Sequence, residues 1–350
     1  MSKFISSDKL YFHPKALMDW ANGFPVDPVT VEVWLTMQCN NACFYCSMKG
    51  VKTAKQMSRK EVEKTIDFVS HIGTKGIIFS GGGEPTIHPN FEHAIHLAKA
   101  KGLDIGVITN GVALNASMEN TILENAKWVR ISLDADNSET YKKIRGTDSF
   151  SRVVLNVKSL LIRKFNTKSN CTVGLQIVVN KYNYKRIRLI TQFMLKEFPL
   201  ADYIQIRPVE TRINETPYSL NELNEIEPQL NFFKNTKKIL ISDKWDLCFN
   251  NAKCDFGFTA CHCAEFIGAI DSYGNFSVCC HTTKNKGYQY CNVFEPLSKS
   301  FFFSERKSVL EKLGKTRGFN PKICPICCRG SAPNRVLEGL SHEPDHKNFL

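Results

Sequence analysis

No stretch of the 350-residue chain approaches the ~18 consecutive apolar residues that a membrane span requires. The first eight residues carry no apolar segment of the secretory kind. Both absences lead us to expect a cytoplasmic protein with no membrane partner. No region reads as disordered, and 43% hydrophobic content is enough for a large core, expected as one big domain and a smaller one. Residues 1–30, punctuated by Pro25 and Pro28, are too short for a separate recognition domain and read as a lead-in. Long blocks of one charge are also missing. The formal charge is +12, yet Lys142, Lys143, Lys158, Lys164 and Lys168 are spread along helical faces. Solvated surfaces are favoured over a nucleic-acid stripe, nucleic acid stays a possible but less favoured partner, and an anionic substrate fits the charge.

Cysteine, by contrast, is abundant. Fourteen in a large chain without a leader point to metal ligation or catalysis rather than to disulfides. Three stand together in Cys39-Asn-Asn-Ala-Cys43-Phe-Tyr-Cys46, directly after the apolar run 31–37. Three thiolates so spaced can hold three irons of a 4Fe-4S cluster and leave the fourth without a protein ligand. No further Cys or His lies close by, so the loop fits a closed zinc site poorly. With Asn40 and Asn41 between the cysteines, it does not read as core filler either. Two clusters on thiolates would bring the net charge to about +9.

Short β-branched runs at 31–37, 76–80, 104–109, 128–133, 172–179 and 203–208 read as buried parallel strands. Amphipathic stretches follow them, at 58–72, 90–101, 118–126, 150–164 and 184–197; the first opens on a Ser58/Glu61 capping box. The fold class is therefore α/β, a parallel sheet with helices outside and its chemistry at the C-terminal strand ends.

Those ends carry Ser80-Gly81-Gly82-Gly83-Glu84-Pro85, then Thr109-Asn110-Gly111, then Ile131-Ser132-Leu133-Asp134-Ala135, with Arg145 a little beyond. Taken singly, these are glycine and polar turns and a helix-terminal arginine. Taken with C-x3-C-x2-C and Tyr45 before its last cysteine, the chain resembles the radical S-adenosylmethionine (SAM) superfamily. The resemblance implies a partial (β/α)6 barrel whose open iron chelates the amino and carboxylate groups of SAM. It also implies a 5′-deoxyadenosyl radical that removes a substrate hydrogen, and a low-potential electron donor such as flavodoxin or ferredoxin. On it, Cys39, Cys43 and Cys46 hold the cluster, and Gly82, Gly83 and Glu84 bind the methionyl amino group. Ser132 meets the ribose with Asp134 near it, Arg145 meets the carboxylate, and Tyr45 and Asn110 stand at family positions.

Strands five and six end near Gln176 and near Arg207 and Glu210, the last two being expected substrate contacts. After a connecting region at 216–247, cysteine density rises over 248–330, ahead of a polar tail at 331–350. A hairpin around Gly274 is flanked by Cys261, Cys263, Cys279 and Cys280, and Cys324-Pro-Ile-Cys327-Cys328 follows a helix closed by Gly314. This resembles the SPASM or twitch extension of radical SAM enzymes and implies a small α+β region with an auxiliary 4Fe-4S cluster. The ligands expected are Cys261, Cys279, Cys324 and Cys327, with Cys263 and Cys280 as rivals and zinc as the alternative metal.

The activity expected is oxidation, crosslinking, epimerisation or rearrangement of a small anionic metabolite, a nucleotide or sugar derivative. A ribosomally made peptide is the next substrate class. Cys171, Cys248 and Cys254 are unassigned thiols that could donate hydrogen. A non-catalytic zinc or Fe-S protein is the contrasting reading, and it leaves the glycine loop unexplained.

Overall fold

The computed structural model describes residues 7–50, 53–210, 218–249, 257–320, 324, 328 and 330–341; Cys254 and Cys327 lie outside them. After α1 (Pro14–Ala21), the β/α alternation read from the sequence is realised. β1 (Thr30–Val33), β2 (Gly76–Phe79), β3 (Asp104–Thr109), β4 (Trp128–Ser132), β5 (Thr172–Val179) and β6 (Tyr203–Pro208) pair in parallel in that order. They are joined by α2 (Arg59–His71), α3 (Phe91–Ala100), α4 (Ala116–Asn125), the pair α5 (Ser138–Arg145) and α6 (Phe150–Thr167), and α7 (Ile187–Glu197).

Both faces of the sheet are covered, which is why the strands read as nearly unbroken apolar runs: all of β5 after Thr172 is buried. Across the strands the register sets Val31 beside Ile77 and Ile77 beside Ile105, so matching branched side chains form continuous buried rows. α2 starts where its capping box predicts. Ser58 and Glu61 satisfy each other's amides, and Val62, Ile66 and Val69 turn inward.

The structure departs from the sequence reading at both sheet edges. After α8 (Leu220–Asn231), a three-residue β7 (Ile239–Ile241) adds to β6 in parallel, and α9 (Lys244–Phe249) follows it. So short a strand leaves no periodic signal. On the other edge, β8 (Ile267–Ile270) pairs in parallel with β1 and continues through antiparallel β9 (Asn275–Ser277) and β10 (Gln289–Asn292). The Gly274 hairpin is thus present and closes through Asp271, whose carboxylate accepts the Tyr273 and Asn275 amides. What pattern could not tell is that it extends the main sheet, since pairing partners are set by tertiary packing. β1 is also shorter than expected. Trp34 still bonds to Ile270 of β8, but beyond it Leu35 and Met37 bond instead to the backbone of Met57 and Lys55.

The cysteine-rich part is tied to the barrel by α10 (Lys299–Lys312): Phe302 stacks on Phe276 and meets Phe68 of α2 edge-on. Its Arg306, 3% exposed, donates to the carbonyls of Val26 and Ala264. No helix among the described residues is long and apolar enough to cross a membrane.

Replacing Arg306 with Met should leave the Val26 carbonyl without its donor and the Ala264 carbonyl with only the 3.4 Å bond from the Tyr290 hydroxyl, and destabilise the fold by about 1–3 kcal/mol. The check is the midpoint of denaturant unfolding; an unshifted midpoint would show that the arginine carries no such role.

Candidate functional site

Four strand ends meet the Cys39 loop at one edge of the sheet, and their polar groups are joined by short hydrogen bonds. β4 runs on into Asp134, which is fully buried. One carboxylate oxygen accepts the Val178 amide of β5 at 2.8 Å. The other accepts the Tyr45 hydroxyl at 2.6 Å and lies 2.7 Å from Arg145 Nη2. Arg145 arrives there because α5 is capped by Asn137 and halted by Gly146 in the left-handed region (φ 68°). A Cβ at Gly146 would lie 2.8 Å from the Ala42 carbonyl, so the glycine also lets the cysteine loop pack against the helix end. From this position Arg145 Nη1 reaches Cys43 Sγ at 3.5 Å. Burial raises the Tyr45 pKa well above its usual value, and Asp134 adds to the rise. Burial opposes the Arg145 charge, but Asp134, Tyr45 and Cys43 outweigh it and hold the guanidinium above its ordinary pKa.

Glu84 forms the second knot. Its carboxylate accepts from the Thr86 amide (3.2 Å) and hydroxyl (2.7 Å), the Thr109 hydroxyl (2.6 Å) and the Asn110 amide (2.8 Å). Burial raises its pKa, and these hydrogen bonds work against the rise. Asn110 carries the connection on: its Nδ2 donates to Asn40 Oδ1 at 2.7 Å and lies 3.9 Å from Cys39 Sγ, which the Asn41 amide also approaches at 3.4 Å. The glycines beside Glu84 are required by close approach. A Cβ on Gly83 would sit 1.9 Å from the Gln38 carbonyl oxygen, and the Gly83 and Glu84 amides bond to Thr36 and Gln38. Ser132 ends β4 half-buried, opposite Gln176.

Beside this edge lies a cavity of about 1530 Å³, bordered by Trp34, Met48 and Gly81 on the cysteine-loop side and by Arg130, Gln176 and Gln205 within the barrel. Gln176 Oε1 is buried without a hydrogen-bond partner. Arg207 and Glu210 also line the cavity and form an ion pair, with Lys244 Nζ 3.5 Å and His281 Nε2 3.9 Å from the Glu210 carboxylate. Burial raises the Glu210 pKa, but the three basic groups outweigh it and hold the carboxyl well below its usual range.

The C-terminal thiols gather separately. Cys261, Cys279, Cys324 and Cys328 lie within electrostatic reach of one another, and burial pushes all four above the usual thiol pKa. Each has a polar companion: Asn334 Nδ2 with Cys261 (3.6 Å), Thr282 Oγ1 with Cys279 (3.7 Å), the Asn320 amide with Cys324 (3.4 Å) and the Gly330 amide with Cys328 (3.3 Å). Among the described residues no three such groups converge as tightly as a single metal ion requires. Cys263 is buried beside Gly330, its amide held by Asn334. Cys280 turns the other way, packing with Cys46, Trp34, Met37 and Met48 and lining the cavity.

Cys171 and Cys248, the two other expected thiols among the described residues, do not line the cavity. Cys171 precedes β5, at the end of the sheet opposite the cysteine loop, and burial pushes its pKa up to about 12. Cys248 is buried in α9 and does not line the cavity. Several participants escaped the sequence reading. Thr86 and Thr109 adjoin residues that were singled out, His281 adjoins Cys280, and Cys328 adjoins Cys327; proximity in sequence was the available signal. Lys244 and Asn334 reach their sites only through the fold.

Fold and site together define an α/β protein with a polar, cysteine-bearing edge at its strand ends, and comparison with known proteins bears on its class. Residues 35–190 match the radical SAM superfamily, so this stretch of the chain carries a radical SAM domain, and a 4Fe-4S cluster and SAM are the cofactors of that family. Among the curated proteins it is similar to the probable GTP 3′,8-cyclase of Pyrococcus abyssi, 30% identical over 148 residues, covering 42% of this chain and 48% of the relative. The enzyme of the same name from Saccharolobus solfataricus is 31% identical over 187 residues, covering 51% and 57%. The chain thus spans about half the length of the curated relatives it matches. Among solved structures, Streptococcus suis SuiB bound to precursor peptide SuiA superposes with a TM-score of 0.66 at 14% identity, covering 92% of this chain and 77% of SuiB. Native anSMEcpe with bound AdoMet gives 0.60 at 18%, covering 82% and 84%. At these identities the two structures bear on fold alone, and they share the architecture over most of this chain.

The Glu84 knot makes a direct prediction. Glu84→Gln should set an amide nitrogen against donor groups, cost about 1–3 kcal/mol and lower iron incorporation at the cysteine loop. Unfolding and iron content of the variant beside wild type give the check; equal values for both would remove Glu84 as the organiser of this edge.

Proposed function

We propose that Cys39, Cys43 and Cys46 hold the SAM-binding 4Fe-4S cluster and that the cavity beside them takes the substrate. The observation that carries this reading is that the three half-buried thiols share one strand edge with Glu84, Asn110, Asp134 and Arg145 while the same loop borders the cavity. The donor set fits a thiolate-bound cluster: Asn41, Asn110 and Arg145 aim N–H groups at Cys39 and Cys43. When bound, the cluster and SAM supply a 5′-deoxyadenosyl radical that takes hydrogen from an unactivated carbon.

The protein's own part is placement. Glu84 fixes Gly82, Gly83 and Asn110 against the cysteine loop, offering backbone groups to the methionyl end of SAM. Arg145 keeps an Nε–H without a hydrogen-bond partner, suited to the carboxylate. Ser132 and Asp134 stand at the ribose side, with Tyr45 orienting Asp134.

For the substrate we favour a small anionic metabolite of the nucleotide or sugar-derivative kind. Arg207 and Lys244 offer cationic groups at the cavity wall, His281 an imidazole and Gln176 a free acceptor, and the curated relatives are named for a nucleotide. A peptide is the second reading, favoured by one observation. The cavity exceeds the roughly 300–1,000 Å³ usual for small-molecule sites.

Cys261, Cys279, Cys324 and Cys328 are proposed to hold an auxiliary 4Fe-4S cluster. Four neighbouring, half-buried thiols ionise readily only with cations among them, and each already has its polar companion. Cys328 joins the expected Cys261, Cys279 and Cys324 in this grouping, and the expected Cys327 lies outside the described residues. A cluster so placed can accept an electron from a substrate radical, which tilts the outcome towards oxidation or crosslinking.

Anaerobically reconstituted protein should bind about eight irons, and the Cys39/Cys43/Cys46 triple Ala variant about four. Equal iron in both would contradict the assignment. Cys328→Ala should still form 5′-deoxyadenosine from SAM while losing the product. One zinc per wild-type chain with only four irons would replace the auxiliary cluster by a structural metal and leave the first cluster standing.

A further inference from the structure

Below the strand ends the barrel wall carries a charge that the strand pattern does not call for. β1 reads Thr30-Val-Glu-Val33, and Glu32, set between Ile78 of β2 and Ala269 of β8 by register, is 6% exposed. A carboxylate placed there costs free energy unless hydrogen bonds or a ligand compensate it. Its direction is fixed by Trp34, two residues on and on the same face, whose indole Nε1 donates to Glu32 Oε1 at 2.8 Å. Trp34 is held in turn under the glycine turn, where a Cβ on Gly81 would come within 2.6 Å of its ring. Both residues line the cavity.

Across the cavity the inward faces of β4, β5 and β6 form layers. Trp128 covers Gly106 and Tyr203 covers Gly174, where a Cβ would meet the rings at 2.2 and 2.1 Å, so two aromatic rings close the floor. Above them Arg130 stands 5.7 Å from the Trp128 ring centre, and its Nη1 donates to Gln205 Oε1 at 3.1 Å. Gln176, beside Gln205 in register and 5% exposed, aims its unpartnered Oε1 at the same layer. Arg207 follows Gln205 on one face of β6, about 7 Å nearer the mouth at the rise of a strand. Acceptors thus lie deep in the cavity and cations at its mouth.

We propose that Glu32 determines specificity in this cavity: it accepts two hydrogen-bond donors, from a sugar diol or from the N–H edge of a base, at the neutral end of the substrate. The anionic end then points outward to Arg207 and Lys244. The proposal rests on the reading that the cavity takes a small anionic metabolite, and it adds which way round that metabolite lies and which residue selects it. Donors are demanded because a ligand that brought only acceptors would leave Glu32 and Gln176 buried against like groups.

The test is anaerobic calorimetry on the reconstituted protein saturated with SAM, so that the place of the cofactor's own nucleoside is filled. Guanosine 5′-phosphate is the probe, since it carries both kinds of donor beside its phosphate, and inorganic phosphate is the reference. Wild type should bind the nucleotide about tenfold or more tightly than phosphate. Glu32→Gln, which keeps the shape but loses the charge, should weaken the nucleotide about tenfold and leave phosphate unchanged, whereas Arg207→Gln should weaken both. On wild type, a similar loss with 2′-deoxyguanosine 5′-phosphate would assign the diol, and a loss with 1-methylguanosine 5′-phosphate the base edge; this comparison holds even where Glu32→Gln does not fold. Nucleotide binding unchanged in Glu32→Gln, or both altered nucleotides bound like the parent, would overturn the role of Glu32 while phosphate binding keeps the anionic reading of the cavity. Failure of wild type to bind nucleotide or phosphate would remove that reading, and Glu32 with it.

Discussion

A single buried carboxylate holds the chemistry-bearing edge together. Asp134 joins three segments distant in sequence: Tyr45 of the cysteine loop, Arg145 at the end of α5 and the backbone of β5. An ionised carboxylate with no exposed surface is stable only because a cation and hydrogen-bond donors surround it. Removing one partner of such a pair generally costs about 3–5 kcal/mol, since the other is left buried and uncompensated. Arg145 in turn spends its Nη1 on Cys43, so the ion pair that stabilises the edge also fixes a thiol. Glu84 does the same for β2 and β3 through Thr86, Thr109 and Asn110. The cysteine loop, too short to have a core of its own, is held in place from the strand ends.

The fold explains why these groups share an edge. In a parallel sheet every C-terminal strand end faces the same way, so residues separated by one β/α unit each are brought together without any strand of special length. Glycine completes the arrangement where backbones must nearly touch, at Gly83 against Gln38 and at Gly146 against Ala42. The C-terminal hairpin joins this sheet beside β1, which brings Cys280 and His281 to the cavity while Cys279 faces the other thiols. The cavity is therefore bordered by Ser47 and Met48 from the cysteine loop and by Cys280 and His281 from the C-terminal hairpin.

Much of this was legible in the sequence, for physical reasons. Strands and helices were readable because burial on both faces demands apolar runs and a 3.6-residue stripe demands spaced ones; the Ser58/Glu61 box marked a helix start to the residue. The cysteine triad, the glycine turn and the polar strand ends were readable because their chemistry is local. What could not be read depended on tertiary placement. Nothing in the run 267–270 says that it pairs with β1, and nothing in Asn334 says that it reaches Cys261. Cys171 shows the converse, a reactive residue type held at the end of the sheet away from the cysteine loop and kept as a neutral thiol by burial.

If Cys39, Cys43 and Cys46 hold a 4Fe-4S cluster with one iron free of protein ligands, that iron would bind SAM directly. Electron paramagnetic resonance of the dithionite-reduced Cys328→Ala protein, which should retain only that cluster, tests it with the fewest other signals. Adding SAM should change the g values and line shape of the spectrum, because its amino and carboxylate groups would enter the iron coordination sphere. A spectrum unaltered by saturating SAM would contradict the account.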